Sequence, residues 1–179
     1  MKMQRRIKNE ISSIIPHTCA LMHHDDGEVD IIMEGALYLM SQFLIKEIET
    51  EQELRDVLRL CYRILGESIP EIYGYAAWRE RFLNGMQPLV YAIKDNKIVS
   101  AVLGRAENPE NITIGFVACH ENYRRQGITK ALMHHFEDCA KKQGYQYVTL
   151  GSHADVFYEK CGYHKIFEIN GQNIYQKEL

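Results

Sequence analysis

Nothing in the charge balance of this chain would hold a polyanion. Lysine and arginine number 21 against 24 aspartates and glutamates, for a formal net charge of -3 over 179 residues. Sequence-independent attraction to a phosphate backbone needs a basic face, so no nucleic-acid partner is expected. A mildly acidic surface suits a cationic substrate instead. Cysteine is sparse and unpatterned. Cys19, Cys61, Cys119, Cys139 and Cys161 are odd in number and form no C-x-x-C pair. That speaks against a disulfide framework and a thiolate zinc site, and for a reducing compartment. No apolar run reaches the length of a membrane span. Arg5, Arg6 and Lys8 are followed by no apolar stretch of signal-peptide length before Pro16, so the expected location is the cytoplasm, with no membrane partner. Repeats, low-complexity segments, the dinucleotide G-x-G-x-x-G and the Walker motif are all missing. What remains is an ordinary globular composition, 46% hydrophobic and 25% charged, with enough length for one domain and a sizeable core.

Residues 1–42 carry few regular signals. A short helix is expected over 7–15, ended by Pro16, and a loop over 17–27. Val29, Ile31 and Met33 alternate with polar residues as a strand does, before a turn at Glu34 and Gly35. His17, Cys19, His23, His24, Asp25 and Asp26 are metal-ligand types. Their spacing fits no zinc pattern, and they read as a solvated loop. This stretch is treated as an N-terminal extension, and residues 43–179 as the domain.

From Phe43 the signals become regular. A strand is expected over 43–49. Thr50 and Glu53 form a capping box, each side chain satisfying a free amide of the other at a helix start. Leu54, Val57, Leu58, Cys61 and Leu65 then recur at helical spacing up to Gly66. Pro70 suits the first turn of another helix, whose face carries Tyr75, Trp78 and Phe82 and which ends at Asn84 and Gly85. Strands over 89–93 and 98–103 meet at a tight turn, Asp95 and Asn96. A third strand is expected over 112–119, a long helix over 126–143 and a strand over 145–150. Ser152 to Asp155 should cap a short helix that stops at Gly162. A final hairpin, 163–169 and 172–177, turns at Asn170 and Gly171. Three strands in a meander followed by a helical crossover predict an α+β fold: a mixed, mostly antiparallel central sheet flanked by helices.

The sharpest chemical signal lies between the third strand and the long helix, at Arg124, Arg125, Gln126, Gly127, Ile128, Thr129 and Lys130. A helix start presents free N–H groups and the positive end of a dipole. Gly127 lets the backbone approach a bulky diphosphate, and three cations surround it. The same residues also read as a charged helix cap.

With this loop the chain resembles the GCN5-related N-acetyltransferase (GNAT) family, whose R/Q-x-x-G-x-G/A loop matches Arg124 to Thr129. Phe157-Tyr-Glu-Lys-Cys-Gly-Tyr163 is similar to the family's F-Y-x-K-x-G-F/Y segment. The resemblance covers about residues 43–179 in element order. Thr129 departs from the pattern, standing where glycine or alanine is usual; its hydroxyl is a further donor for a phosphate. The resemblance implies acetyl-CoA as cosubstrate and a primary amine of a small molecule or peptide as acceptor. Amides of Arg125 to Lys130 would hold the pyrophosphate. The preceding strand would splay from its neighbour, exposing backbone at Val117, Ala118 and Cys119 to the pantetheine arm. Tyr158 would protonate the departing thiolate; the alternative is that it packs and caps. The base stays open among Glu107, His120, Glu121 and His153, and an amine arriving deprotonated needs none. A CoA-binding module without turnover is the rival reading, and a homodimer stays open.

Three further readings are plainer. His135 falls within the apolar stripe of the long helix and reads as a satisfied, partly buried histidine. Cys119 reads as a free buried thiol rather than a nucleophile. Tyr73, Tyr75 and Trp78 either wall an acceptor pocket or pack a helix face. No metal is expected.

Overall fold

The computed structural model describes residues 43–66 and 70–179. The helix, loop and strand expected before residue 43 lie outside these. Strand β1 (Leu44–Glu47) leads into helix α1 (Glu51–Leu65). A 3-10 turn (Glu71–Tyr73) precedes helix α2 (Tyr75–Asn84). Then come β2 (Leu89–Lys94), β3 (Lys97–Ala106) and β4 (Asn111–Cys119), a second 3-10 turn (Glu121–Tyr123) and helix α3 (Ile128–Lys142). Strand β5 (Tyr147–Ser152), helix α4 (Asp155–Lys160), β6 (His164–Ile169) and β7 (Gln172–Glu178) complete the chain. The strands form one sheet in the order β1-β2-β3-β4-β5-β7-β6. Its β4–β5 pair is parallel and the others antiparallel, as expected of a mixed, mostly antiparallel sheet.

Local chemistry explains the element ends. The capping box forms as expected: Glu53 N donates to Thr50 Oγ1 at 3.1 Å, and Thr50 N to Glu53 Oε2 at 3.1 Å. Leu54, Val57, Leu58 and Cys61 are buried, but Leu65 is 48% exposed in the last turn and leaves the stripe. Pro70 caps the 3-10 turn instead of opening α2, whose N-cap is Gly74. Both tight hairpins adopt positive φ at their central pairs, Asp95 with Asn96 and Asn170 with Gly171, as a type I′ turn requires. Tyr145 stays with the end of α3, its amide donating to Ala140 O at 3.1 Å, so β5 begins two residues later than expected. No side chain caps α4; Ser152 accepts from Ala154 N at 3.0 Å, and Asp155 instead bonds Asn173 and Tyr175.

The sheet has an apolar core on each face. One holds Leu54, Val57, Leu58 and Trp78 of α1 and α2 against Leu89, Tyr91, Leu103 and Phe116. The other holds Leu132, Met133 and Phe136 of α3 with Val102, Ile112, Ile114 and Tyr158. Ile112, Ile114, Phe116 and Ala118 alternate in sequence as one face would. They divide between the two cores because the β3–β4 register shifts at Leu103/Gly104, leaving Gly115 as an extra residue in β4. A one-residue bulge reverses every side chain beyond it. A Cβ at Gly115 would stand 3.1 Å from the rings of Trp78 and Tyr73, so the bulge lets α2 sit directly on the strand.

Candidate active site

Strands β4 and β5 run together for three residues and then part. Their pairing ends at Thr113↔Thr149, where the two hydroxyls lie 2.9 Å apart. Beyond that point β4 pairs with β3 and β5 with β7, leaving a gap in the middle of the sheet. His120 N donates to Val99 O at 2.8 Å. Antiparallel alternation therefore turns the peptide groups of Val117 and Cys119 toward the gap, and those of Ala118 toward β3. Ala118 O also accepts from Ser100 Oγ at 2.8 Å. Of the three residues expected to expose backbone here, Val117 and Cys119 do so and Ala118 does not. Arg124 Nε donates to Cys119 O at 3.2 Å, leaving the Cys119 amide and both Val117 groups on the open edge.

The loop after β4 is held from below and bare above. Tyr123 donates to Asp95 at 3.2 Å and Lys94 to Gln126 at 2.8 Å, anchoring the loop to the β2–β3 turn. Arg125 and Gly127 both take left-handed backbone, φ 63° and 77°. Such reversals gather successive N–H groups into a concave nest that suits an anion. The first main-chain bond of α3 runs from Ala131 N to Gly127 O. The amides of residues 125–130 therefore have no main-chain acceptor among the described residues. A Cβ on Gly127 would meet no protein atom within 4 Å, so open space lies over this backbone. Arg124, Arg125 and Lys130 are exposed around it, while Ile128 is buried beneath.

Thr129 differs from expectation. Its Oγ1 lies 3.1 Å from Ser100 Oγ, whose own proton goes to Ala118 O. Thr129 is therefore the donor in that contact, and its proton is turned away from any phosphate. Ser100 escaped sequence reasoning, although a lone serine inside the apolar run from Ile98 to Leu103 was the available signal.

Tyr158 stands on α4, just beyond β5, with only 6% of its surface exposed. Its ring packs edge-on to Phe157 at 5.0 Å and Tyr163 at 6.1 Å. Burial pushes its phenol pKa up. At neutral pH the hydroxyl is therefore a proton donor. His120 follows β4, half-buried, its Nδ1 accepting from Asn122 N at 3.3 Å. Glu121 beside it and His153, after β5, are exposed. Glu107 sits apart from these, paired with Arg105 near the start of β4.

Trp78 is fully buried, and Tyr73 stacks on it at 6.2 Å; both belong to the packing of α2. Tyr75 reaches Glu51 at 3.4 Å. A cavity of about 900 Å³, lined in part by Ile72, Arg81, Arg105 and Tyr145, opens at the opposite end of β4 from the nest. No helix among the described residues is long and apolar enough to cross a membrane.

Comparison with known proteins gives the family and the fold. A family model for the acetyltransferase (GNAT) family matches residues 51–163, and the chain belongs to that family. Among solved structures it is similar to an aminoglycoside 6'-N-acetyltransferase complexed with coenzyme A, at 17% identity and TM-score 0.61, covering 75% of this chain and 96% of that one. Ard1 from Thermoplasma volcanium aligns at 19% identity and TM-score 0.61, covering 76% and 97%. The ribosomal-protein-alanine N-acetyltransferase from Brucella melitensis aligns at 16% and 0.61, covering 76% and 99%. At these identities the likeness is one of fold. A comparison with curated proteins finds no match.

Proposed function

We propose that this protein moves acetyl from acetyl-CoA directly to a primary amine of a small molecule or peptide. The observation that carries the reading is the nest of bare amides over residues 125–130, opening beside the gap between β4 and β5. A diphosphate fits that donor set: N–H groups at a helix start, the positive dipole end and three exposed cations. We assign the diphosphate to the amides of Arg125, Gln126, Gly127, Ile128, Thr129 and Lys130, with Arg124 bracing the loop on Cys119. The pantetheine arm pairs with Val117 and Cys119, as an added strand does at a free edge. Ala118 contributes indirectly, by fixing β4 to β3.

In the reaction the amine nitrogen bonds to the thioester carbonyl carbon, and the carbon–sulfur bond breaks. Tyr158 gives its phenolic proton to the departing sulfur. The nitrogen's surplus proton leaves through His120, Glu121 or water and restores the phenol in the next cycle. A buried, protonated phenol on the helix that follows β5 supports this role. Free Cys61, Cys139 and Cys161 suit a reducing compartment such as the cytoplasm.

The test is thiol release. Acetyl-CoA alone should give little free thiol, and addition of an acceptor amine should raise it together with acetylated product. A panel of amines should include aminoglycosides, polyamines, amino acids and peptides with free N-termini. Tight CoA binding with no thiol release on any of them would leave a CoA-binding module in place of an enzyme.

A further inference from the structure

Away from the nest, two elements bring three metal-ligand side chains together. Glu47 closes the edge strand β1. His135 and Cys139 lie four residues apart on α3 and so project from one side of the helix. A carboxylate oxygen of Glu47, an imidazole nitrogen of His135 and Cys139 Sγ all lie within 4.8 Å of one another. Cys139 is buried, His135 half-buried and Glu47 exposed. We propose that Glu47, His135 and Cys139 form a binding site for a borderline-soft divalent cation, zinc foremost, with water as its fourth ligand.

The donor set selects the ion. Magnesium and calcium take oxygen ligands almost alone, whereas zinc accepts carboxylate, imidazole and thiolate together. At tetrahedral angles, zinc–sulfur and zinc–nitrogen bonds of about 2.3 and 2.0 Å place the ligand atoms roughly 3.5 Å apart. The cluster, its ligand atoms already within 4.8 Å of one another, would therefore close by at most roughly 1.3 Å. Glu47 is exposed at a strand end and has room to swing, while Cys139 and His135 are held on the helix. The Cys139 sulfur lies within 4.8 Å of a Glu47 carboxylate oxygen, and the cation would displace the thiol proton to water, bonding to sulfur and oxygen at once.

The site joins elements that the sheet does not. Among the described residues β1 pairs with β2 and borders no further strand, so a cation would pin its end to α3 on the sheet face. The helix half of the cluster was visible in sequence, but the third ligand comes from a strand far away in the chain. That is why His135 reads as an ordinary packed histidine until the fold is known.

The experiment uses the full chain, stripped with a chelator and titrated with zinc alone and with cobalt(II) alone. One equivalent of zinc should bind and raise the melting temperature. Cobalt should produce a thiolate charge-transfer band in the near ultraviolet. Cys139→Ser should lose that band, and His135→Ala should weaken zinc uptake by about tenfold or more. Glu47→Gln, which changes an exposed residue and leaves the core intact, should weaken it too. Unchanged circular dichroism and CoA binding of the metal-free variants would show that they fold. No zinc uptake at about 1 mM, or a cobalt thiolate band that survives Cys139→Ser, overturns the proposal.

Discussion

Ser100 Oγ lies 3.1 Å from Thr129 Oγ1, and this single contact ties the start of α3 to the centre of the sheet. Ser100 is fully buried and passes its proton to Ala118 O at 2.8 Å. The relay from Thr129 through Ser100 to Ala118 thus links the anion nest to the strand that borders the gap. The residue that departs from the family loop has found a structural partner, so its hydroxyl has no proton left for the ligand.

Thr129→Ala should therefore cost stability without costing affinity. Loss of one partly buried hydrogen bond should lower the unfolding free energy by about 1 kcal/mol. CoA affinity should change by less than about threefold. Ser100→Ala should destabilise more, because it deprives two partners, and the double variant should fall short of the sum. Urea unfolding with calorimetry checks both parts. A tenfold loss of CoA affinity in Thr129→Ala would place the hydroxyl on the phosphate instead.

Gly127→Asp should abolish CoA binding in a folded protein. The position has φ 77° and open space around the missing Cβ. A side chain there costs about 1 kcal/mol of backbone strain and displaces no packed atom. The carboxylate, however, would stand among the amides that are to receive a diphosphate. Gly127→Asn, neutral and tolerant of left-handed backbone, should keep measurable affinity. Equal calorimetric affinities for the two variants would remove the charge argument.

How far the sequence could be read follows from the range of each signal. The capping box, the turn pairs and the loop motif are local, and the residues that form them lie within a few positions of one another. The Gly115 bulge is not local. Ile112, Ile114, Phe116 and Ala118 read as one face, and only the β3 register with the packing of Trp78 and Tyr73 divides them between two cores. Ser100, Glu47 and the direction of each β4 peptide group were hidden for the same reason: each is decided by a partner from a distant segment. Tyr158 was visible as a motif residue, but its burial against Tyr163 and Tyr175 was not.

Glu53 should make the protein acid-sensitive in a defined window. Its carboxylate accepts from Lys46 Nζ at 2.8 Å, Tyr91 Oη at 2.7 Å and the amides of Glu49 and Thr50 at 2.9 and 3.1 Å. The Lys46 hydrogen bond leads the interactions that lower its pKa to about 2, against desolvation. A depressed folded-state pKa stabilises fully above the unfolded value, about 4.3, and that stability is lost as pH falls through the folded value. Glu53→Gln should thus lower stability by roughly 1 kcal/mol at pH 7, the carboxylate being partly solvated. The gap between wild type and variant should narrow between about pH 4.5 and 2. Urea titrations at stepped pH check this; a gap that stays constant across the window would show that the charge contributes nothing.

Tyr158→Phe keeps the ring that packs on Phe157, Tyr163 and Tyr175 and removes only the oxygen. The fold should therefore survive, and acetyl-CoA affinity should stay nearly constant. If the phenol protonates the leaving sulfur, the contribution exists in the transition state and hardly at all in the ground state. Turnover should then fall by about 10²–10⁴-fold, the range for a lost general acid. The lower end is expected, because a CoA thiolate is a tolerable leaving group and water can reach the gap. A donor that burial holds protonated should also leave a mark on the pH profile. Wild-type turnover should lose activity at alkaline pH only above the ordinary phenol range, since burial raises the Tyr158 pKa, and the variant should lack that limb. Weakened binding with turnover of the bound enzyme intact would make Tyr158 part of cofactor packing. No change in either quantity would take it out of the mechanism and leave the nest as the support for acetyl transfer.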